Sequence, residues 1–331
     1  MEIRLRSYEF RREREQTWSE LERLVARVEK SGVRSLEAGE LARLPLLYNA
    51  TLSSLSVART ISLDRALLEY LESLCGRAYF AVYGTKQGFL EAVVEFFRFR
   101  FPATVRNNWG HLALAAFFLV LGAVTAGALV TRDVDWYYSF VNPAYAQGRD
   151  PDTPPEELRE ALYDTDHEGE ELAAFSSQLF THNAGVGMLA ASLGVLAGIP
   201  VFLLLFYNGL ILGAFLGLFH ARGIGSDLWA WLLPHGVTEL LAIVLCGAAG
   251  LIMAQALVFP GRHRRLDNIA RRGREAGLIV VGCVLLFGIA AVIEGVFRQT
   301  VTNIAVRWTV VVATALWWTY YFGFVGRGRD A

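Results

Sequence analysis

Residues 228–258 read LWAWLLPHGVTELLAIVLCGAAGLIMAQALV, 31 residues in which Glu239 is the one acidic or basic side chain apart from His235. About 20 apolar residues suffice for a helix to cross the ~30 Å hydrocarbon layer of a bilayer. A helix is favoured there because it satisfies its own backbone N–H and C=O groups where no water can. The stretch therefore predicts a transmembrane helix, and an overlong one. Pro234 removes a ladder hydrogen bond and crowds the preceding turn, so the helix is expected to begin as a short or broken piece at Pro234-His235-Gly236.

Working outward, five further apolar runs of similar length appear at about 109–130, 175–197, 200–221, 277–297 and 303–325. Upstream of them the character changes: residues 1–108 hold 17 Lys+Arg and 14 Asp+Glu. Within residues 8–31, Phe10, Trp18, Leu21, Leu24, Val25 and Val28 recur at helical spacing among Arg and Glu, and Gly32 stops the run. Residues 35–59 and 62–83 give two more amphipathic helices, the first bent or broken by Pro45. Gly88–Phe101 sets phenylalanines beside Arg98 and Arg100 and reads as an interfacial helix lying on the bilayer, ended by Pro102. The expected fold is all-α: a polytopic bundle of about six transmembrane helices with an N-terminal cytoplasmic helical domain. Residues 1–86 form that domain, 87–108 the interfacial helix and linker, and 109–331 the bundle with an acidic extracytoplasmic loop at 131–171.

Composition supports this division. The chain is 54% hydrophobic and 19% charged, with a mean hydropathy of +0.36, against about 25% charged in soluble domains. A net charge of −1 offers no basic field for nucleic acid. Cys75, Cys246 and Cys283 are too few and too scattered for a disulfide framework or a zinc motif. The first 30 residues are charged and amphipathic rather than a signal peptide. Basic residues fix the orientation, since loops rich in Lys and Arg stay in the cytoplasm. The loop 131–171 has 12 acidic residues and 3 Arg, whereas 259–276 carries 6 Arg. Both termini are therefore expected in the cytoplasm and the acidic loop outside, in an inner membrane.

Polar side chains inside the apolar runs carry the functional information, because a charge at mid-bilayer costs about 2.5–3.5 kcal/mol on insertion scales. His235 and Glu239 are one turn apart and share a helix face. Asn183 and His182 fall in the second run, Asn208 in the third, and Glu294 near the end of the fifth with Arg298 one turn on. His235 and Glu239 can be a hydrogen-bonded pair holding helices together, part of a proton or cation path, or two ligands of a metal site completed by Glu294 or His182. Glu294 and Arg298 read first as an interfacial ion pair. Gly209, Gly213 and Gly217 form overlapping small-xxx-small steps for close helix approach, within one subunit or at a homodimer seam. Gly236 is a fourth candidate packing glycine.

The stretch from Leu233 to Leu240, with Ala242 and Gly247–Leu251 after it, resembles the signature of the stage II sporulation protein M family. His182-Asn183, Asn208-Gly209 with Gly213, and Ile293-Glu294-Gly295 are similar to the family pattern too. In the soluble half Leu47-Tyr48, Ala58-Arg59 and Leu71–Leu74 through Tyr83 follow it in outline, with Asn49 and Ser54 as departures. The resemblance implies a membrane scaffold that works with protein partners, among them a MoxR-type AAA ATPase or other membrane proteins. No cofactor and no enzymatic activity are expected. The residues themselves leave a rival, a small ion, proton or solute transporter or channel using His235, Glu239 and Glu294. No nucleophile elbow, P-loop or dinucleotide glycine pattern stands in its required context.

Overall fold

A computed structural model describes residues 2–60, 65–83, 89–142, 146, 148–163, 170–262, 264–297 and 300–329. Among the described residues there is no strand. The chain divides into two compact units, Met1–Ala92 and Val93–Ala331.

The first unit packs three helices: α1 (Glu2–Ser31), α2 (Ala38–Thr60) and α3 (Arg65–Tyr83). The six apolar positions singled out on α1, Phe10 to Val28, are all buried against Leu44, Leu55, Leu71 and Leu74. Gly32 adopts φ 82°, a left-handed conformation that a side chain would strain, and the α-helix stops there. Pro45 lies in the first half of α2 without breaking it. Ion pairs such as Arg27–Glu40 (2.7 Å) and Arg77–Glu29 (2.8 Å) decorate the outside, where each contributes at most about 1 kcal/mol.

The boundary between the units falls in a helical run that Pro102 does not end. A short helix α4 (Phe89–Glu95) leads through a π turn, Phe96–Arg100, into α5 (Phe101–Asn107), with Pro102 in the first turn of α5. The first turn of a helix is where a proline, lacking its N–H, is tolerated, and the wider π turn before it re-aims the phenylalanines. Phe101 is fully buried and Phe96 stacks on it at 5.7 Å. The Tyr321 hydroxyl donates to the Phe97 carbonyl, and Arg106 donates to the carbonyl of Val325 at 2.7 Å. This end of the expected interfacial helix packs on the bundle, while Leu90 and Val94 stay exposed.

Among the described residues four helices are long and apolar enough to cross a membrane: α6 (Trp109–Arg132), α10 (Ile199–Ala221), α11 (Gly225–Val258) and the run Arg265–Phe297, which is α12 (Arg265–Val292) continued by a π turn. Of the other two expected spans, α9 (Glu170–Ser192) with the 3-10 turn after it carries an apolar run at Phe180–Leu196 among the described residues. The helix α13 (Ile304–Phe324) is diluted by Arg307, Trp317, Trp318, Tyr320 and Tyr321. The turn from α9 into α10 is made by Ala197 (φ 61°) and Gly198 (φ 83°).

Contrary to the sequence expectation, α11 is one continuous 34-residue helix with Pro234 inside it. A proline in a membrane helix can be absorbed by its neighbours, and Pro234 is buried among them. The glycine stripe of α10 faces α6. A Cβ at Gly209 would collide with the Leu119 carbonyl and one at Gly213 with that of Ala123, and one at Gly217 would sit 2.8 Å from the Gly127 oxygen. Positions on both helices rise together, so α6 and α10 run parallel, and the stripe is used within this chain. Gly236 meets only Leu232 of its own helix, at 3.4 Å, and is not a close-packing glycine.

The acidic segment between α6 and α9 is folded where described. A 3-10 turn (Val134–Trp136), α7 (Tyr137–Phe140) and α8 (Pro155–Tyr163), the last starting at the Pro154-Pro155-Glu156 signal, cap the ends of α10 and α11. Tyr137, Leu158 and Leu162 are buried with Leu218, Phe219 and Leu228. The Tyr137 hydroxyl donates to the Arg149 carbonyl at 2.6 Å, Arg222 reaches the Pro151 carbonyl, and Arg159 pairs with Asp227 at 3.2 Å.

Candidate functional site

His235 lies ten residues past the start of α11, about 15 Å along its axis at ~1.5 Å per residue. One turn on, Glu239 projects from the same face. The third member comes from another helix. At the end of α12 the α-helical ladder widens into the π turn Ile293–Phe297, which holds Glu294 and Gly295 buried. Such turns re-aim a side chain that a regular helix would point elsewhere.

The imidazole Nε2 of His235 and Oε1 of Glu294 are 3.8 Å apart, with only 4% and 8% of the two side chains exposed. One ligand atom each from His235, Glu239 and Glu294 lies within 4.8 Å of the others, and Glu239 is half-buried. Removing such groups from water is costly unless opposite charge, hydrogen bonds or an ion compensates.

The surroundings are aromatic and cationic on the cap side. The Trp231 ring stands edge-on to the His235 ring, centroids 5.9 Å apart. Arg149, from the acidic segment, places its guanidinium 5.7 Å from the Trp231 centroid. Burial pulls the Arg149 pKa below its ordinary value, while Tyr137 and the Glu294 carboxylate act in the opposite direction. Arg149 and Trp231 also line a cavity of about 160 Å³ with Leu162, Phe215, Phe219 and Leu228. Arg307 is buried; it donates to the Val301 carbonyl at 2.7 Å and covers the Tyr163 ring at 5.0 Å. Tyr163 in turn donates to Asp227 at 3.3 Å.

The other residues singled out in the sequence are placed apart. Asn208 donates to the Leu204 carbonyl of its own helix at 2.8 Å. His182 is exposed and Asn183 half-buried on α9, so His182 is not a buried group, and it is not a member of the His235, Glu239 and Glu294 group. Arg298, the expected partner of Glu294, lies outside the described residues. Sequence reading missed Arg149 and Trp231. Arg149 carried a signal, as one of only three arginines in the strongly acidic stretch 131–171.

A second polar network, also missed, ties the opposite ends of α6, α11 and α12. Arg272 donates to the Asn108 side chain at 3.0 Å and pairs with Glu275; Asn108 donates to the Thr104 carbonyl at 2.9 Å; His111 meets Gln255 at 3.0 Å. Its residues stand at helix ends, where a sequence shows only ordinary flanking charge.

No curated protein and no solved structure matches the chain. A family model described as a domain of unknown function (DUF8413) matches residues 8–84, within the first compact unit. A model described as Stage II sporulation protein M matches residues 112–297, more than half of the chain and inclusive of His235, Glu239 and Glu294. This is a membrane protein with an all-α bundle, and the chain belongs to the stage II sporulation protein M family.

Proposed function

We propose that this protein is a multi-pass scaffold of the cytoplasmic membrane, with both termini in the cytoplasm, that gathers protein partners on its first unit. The observation that carries the reading is the separate core of residues 1–92: a helical unit with its own buried interior, carried by a chain whose remainder is built of membrane-length helices. The excess of arginine in 259–276 over 131–171 supports the orientation. On α3, Tyr79, Phe80 and Tyr83 are exposed, Phe80 by 70%, and exposed aromatics are enriched where proteins meet. They are the face on which a cytoplasmic partner, such as the MoxR-type ATPase that the family resemblance implies, would dock.

The test is purification of the full chain from gently solubilised native membranes, beside a Phe80→Ser, Tyr83→Ser variant of equal melting temperature. A stoichiometric partner held by the wild type and lost from the variant is the expected result. A wild-type chain that carries no stoichiometric partner contradicts the scaffold.

A second reading, a small ion, proton or solute transporter or channel, is favoured by the buried His235–Glu239–Glu294 group. It no longer has a broken helix behind it, since α11 is continuous. In proteoliposomes the scaffold reading expects no ion flux above background from the wild type. A flux abolished by Glu239→Gln in a folded protein would establish the rival instead.

A further inference from the structure

We propose that His235, Glu239 and Glu294 form a three-ligand site for a divalent first-row transition-metal ion, of which zinc is the type case, set inside the helix bundle beneath the cap. The argument begins with the donor set. One imidazole and two carboxylates are the borderline-to-hard ligands that suit Zn(II), Mn(II) or Fe(II), and a soft ion such as Cu(I) would want sulfur. Cys246 and Cys283 are buried in the same unit but are not part of the group.

Geometry comes next. Metal–nitrogen and metal–oxygen bonds of about 2.0–2.2 Å at a tetrahedral angle put ligand atoms roughly 3.3–3.5 Å from one another. The His235 Nε2 to Glu294 Oε1 separation of 3.8 Å is longer than a direct N–H···O bond of about 2.7–3.2 Å. It lies a few tenths of an ångström from the spacing of two ligands on one ion. All three ligand atoms fall within 4.8 Å of one another.

The scaffolding of the three ligands points the same way. His235 and Glu239 are fixed by one helix turn, the i and i+4 spacing that gives two ligands on one face. Glu294 is delivered by a π turn, where α12 departs from regular geometry at the position that faces His235. Three protein ligands leave a fourth position for water or another small ligand.

The test uses full-length protein, purified in detergent without an affinity histidine tag, stripped with chelator and reloaded with Zn(II) or Co(II). The expected outcome is one ion per chain, a tetrahedral Co(II) absorption, and a melting temperature raised by Zn(II) and lowered again by chelator. The near-isosteric Glu294→Gln and Glu239→Gln variants should bind at least about tenfold more weakly, since even outer-shell changes can cost that much. His182→Ala, away from the group, should match the wild type. Substoichiometric metal after loading with Zn(II), Co(II), Mn(II) and Fe(II) in turn would overturn the proposal. So would wild-type affinity in both glutamine variants.

Discussion

At Gly213 the backbones of α6 and α10 leave no space for even one methyl group, whereas at Gly236 a methyl would meet Leu232 at an ordinary 3.4 Å. Both glycines are candidate packing positions in the sequence, and they should behave oppositely. Gly213→Ala is expected to destabilise by about 1–3 kcal/mol, the cost of overpacking a tight contact. Gly236→Ala is expected to be neutral or slightly stabilising, since glycine inside a helix is worse than alanine by up to about 1 kcal/mol. Melting temperatures of the two variants in one detergent check this directly. The residues of the site divide in a similar way. His235 and Glu239 were legible because their spacing alone puts them on one face of a helix. That Glu294, 55 positions after Glu239, joins them was only one option among several, because a tertiary contact leaves no periodicity in the chain. His182 sits in the same kind of apolar run yet is exposed, and nothing in its immediate neighbours distinguishes the two cases.

Among the elements, those with a long, uniform apolar pattern are the ones the sequence located well: α6, α10, α11 and α12 lie within a few residues of the expected runs, apart from the longer starts of α11 and α12. The errors concern interruptions. Pro234 reads as a break, but it is buried inside α11, which stays whole. Pro102 reads as a stop, but it falls where its missing N–H does no harm. The helix α13 is joined to α11 by a buried hydrogen bond, Trp318 Nε1–H to Thr238 Oγ1 at 2.9 Å. Trp318→Phe and Thr238→Val should each lower stability. Their double-mutant cycle should give a coupling of about 0.5–1.5 kcal/mol. Strictly additive effects would mean that this bond does not hold α13 in place.

At the scale of the whole molecule, the second unit is a bundle of membrane-length helices that shelters a His–Glu–Glu group and is closed at one end by the folded acidic segment. The change from a charged stretch to an apolar one was plain from composition, and the two compact units part near it, at Ala92. What the acidic segment does was not plain, since 12 acidic residues in 131–171 read as a solvated loop. In the structure Tyr137, Leu158 and Leu162 turn it into a cap with a core, a consequence of a few apolar residues finding partners on distant helices. The most direct measurement is labelling of single cysteines in intact cells with a membrane-impermeant maleimide, in a chain with Cys75, Cys246 and Cys283 replaced by serine. The account predicts that Asp152→Cys reacts from outside, Glu37→Cys reacts only after permeabilisation, and Glu239→Cys reacts in neither state. Labelling of Glu239→Cys as readily as Asp152→Cys, or reaction of Glu37→Cys in sealed cells, would contradict it.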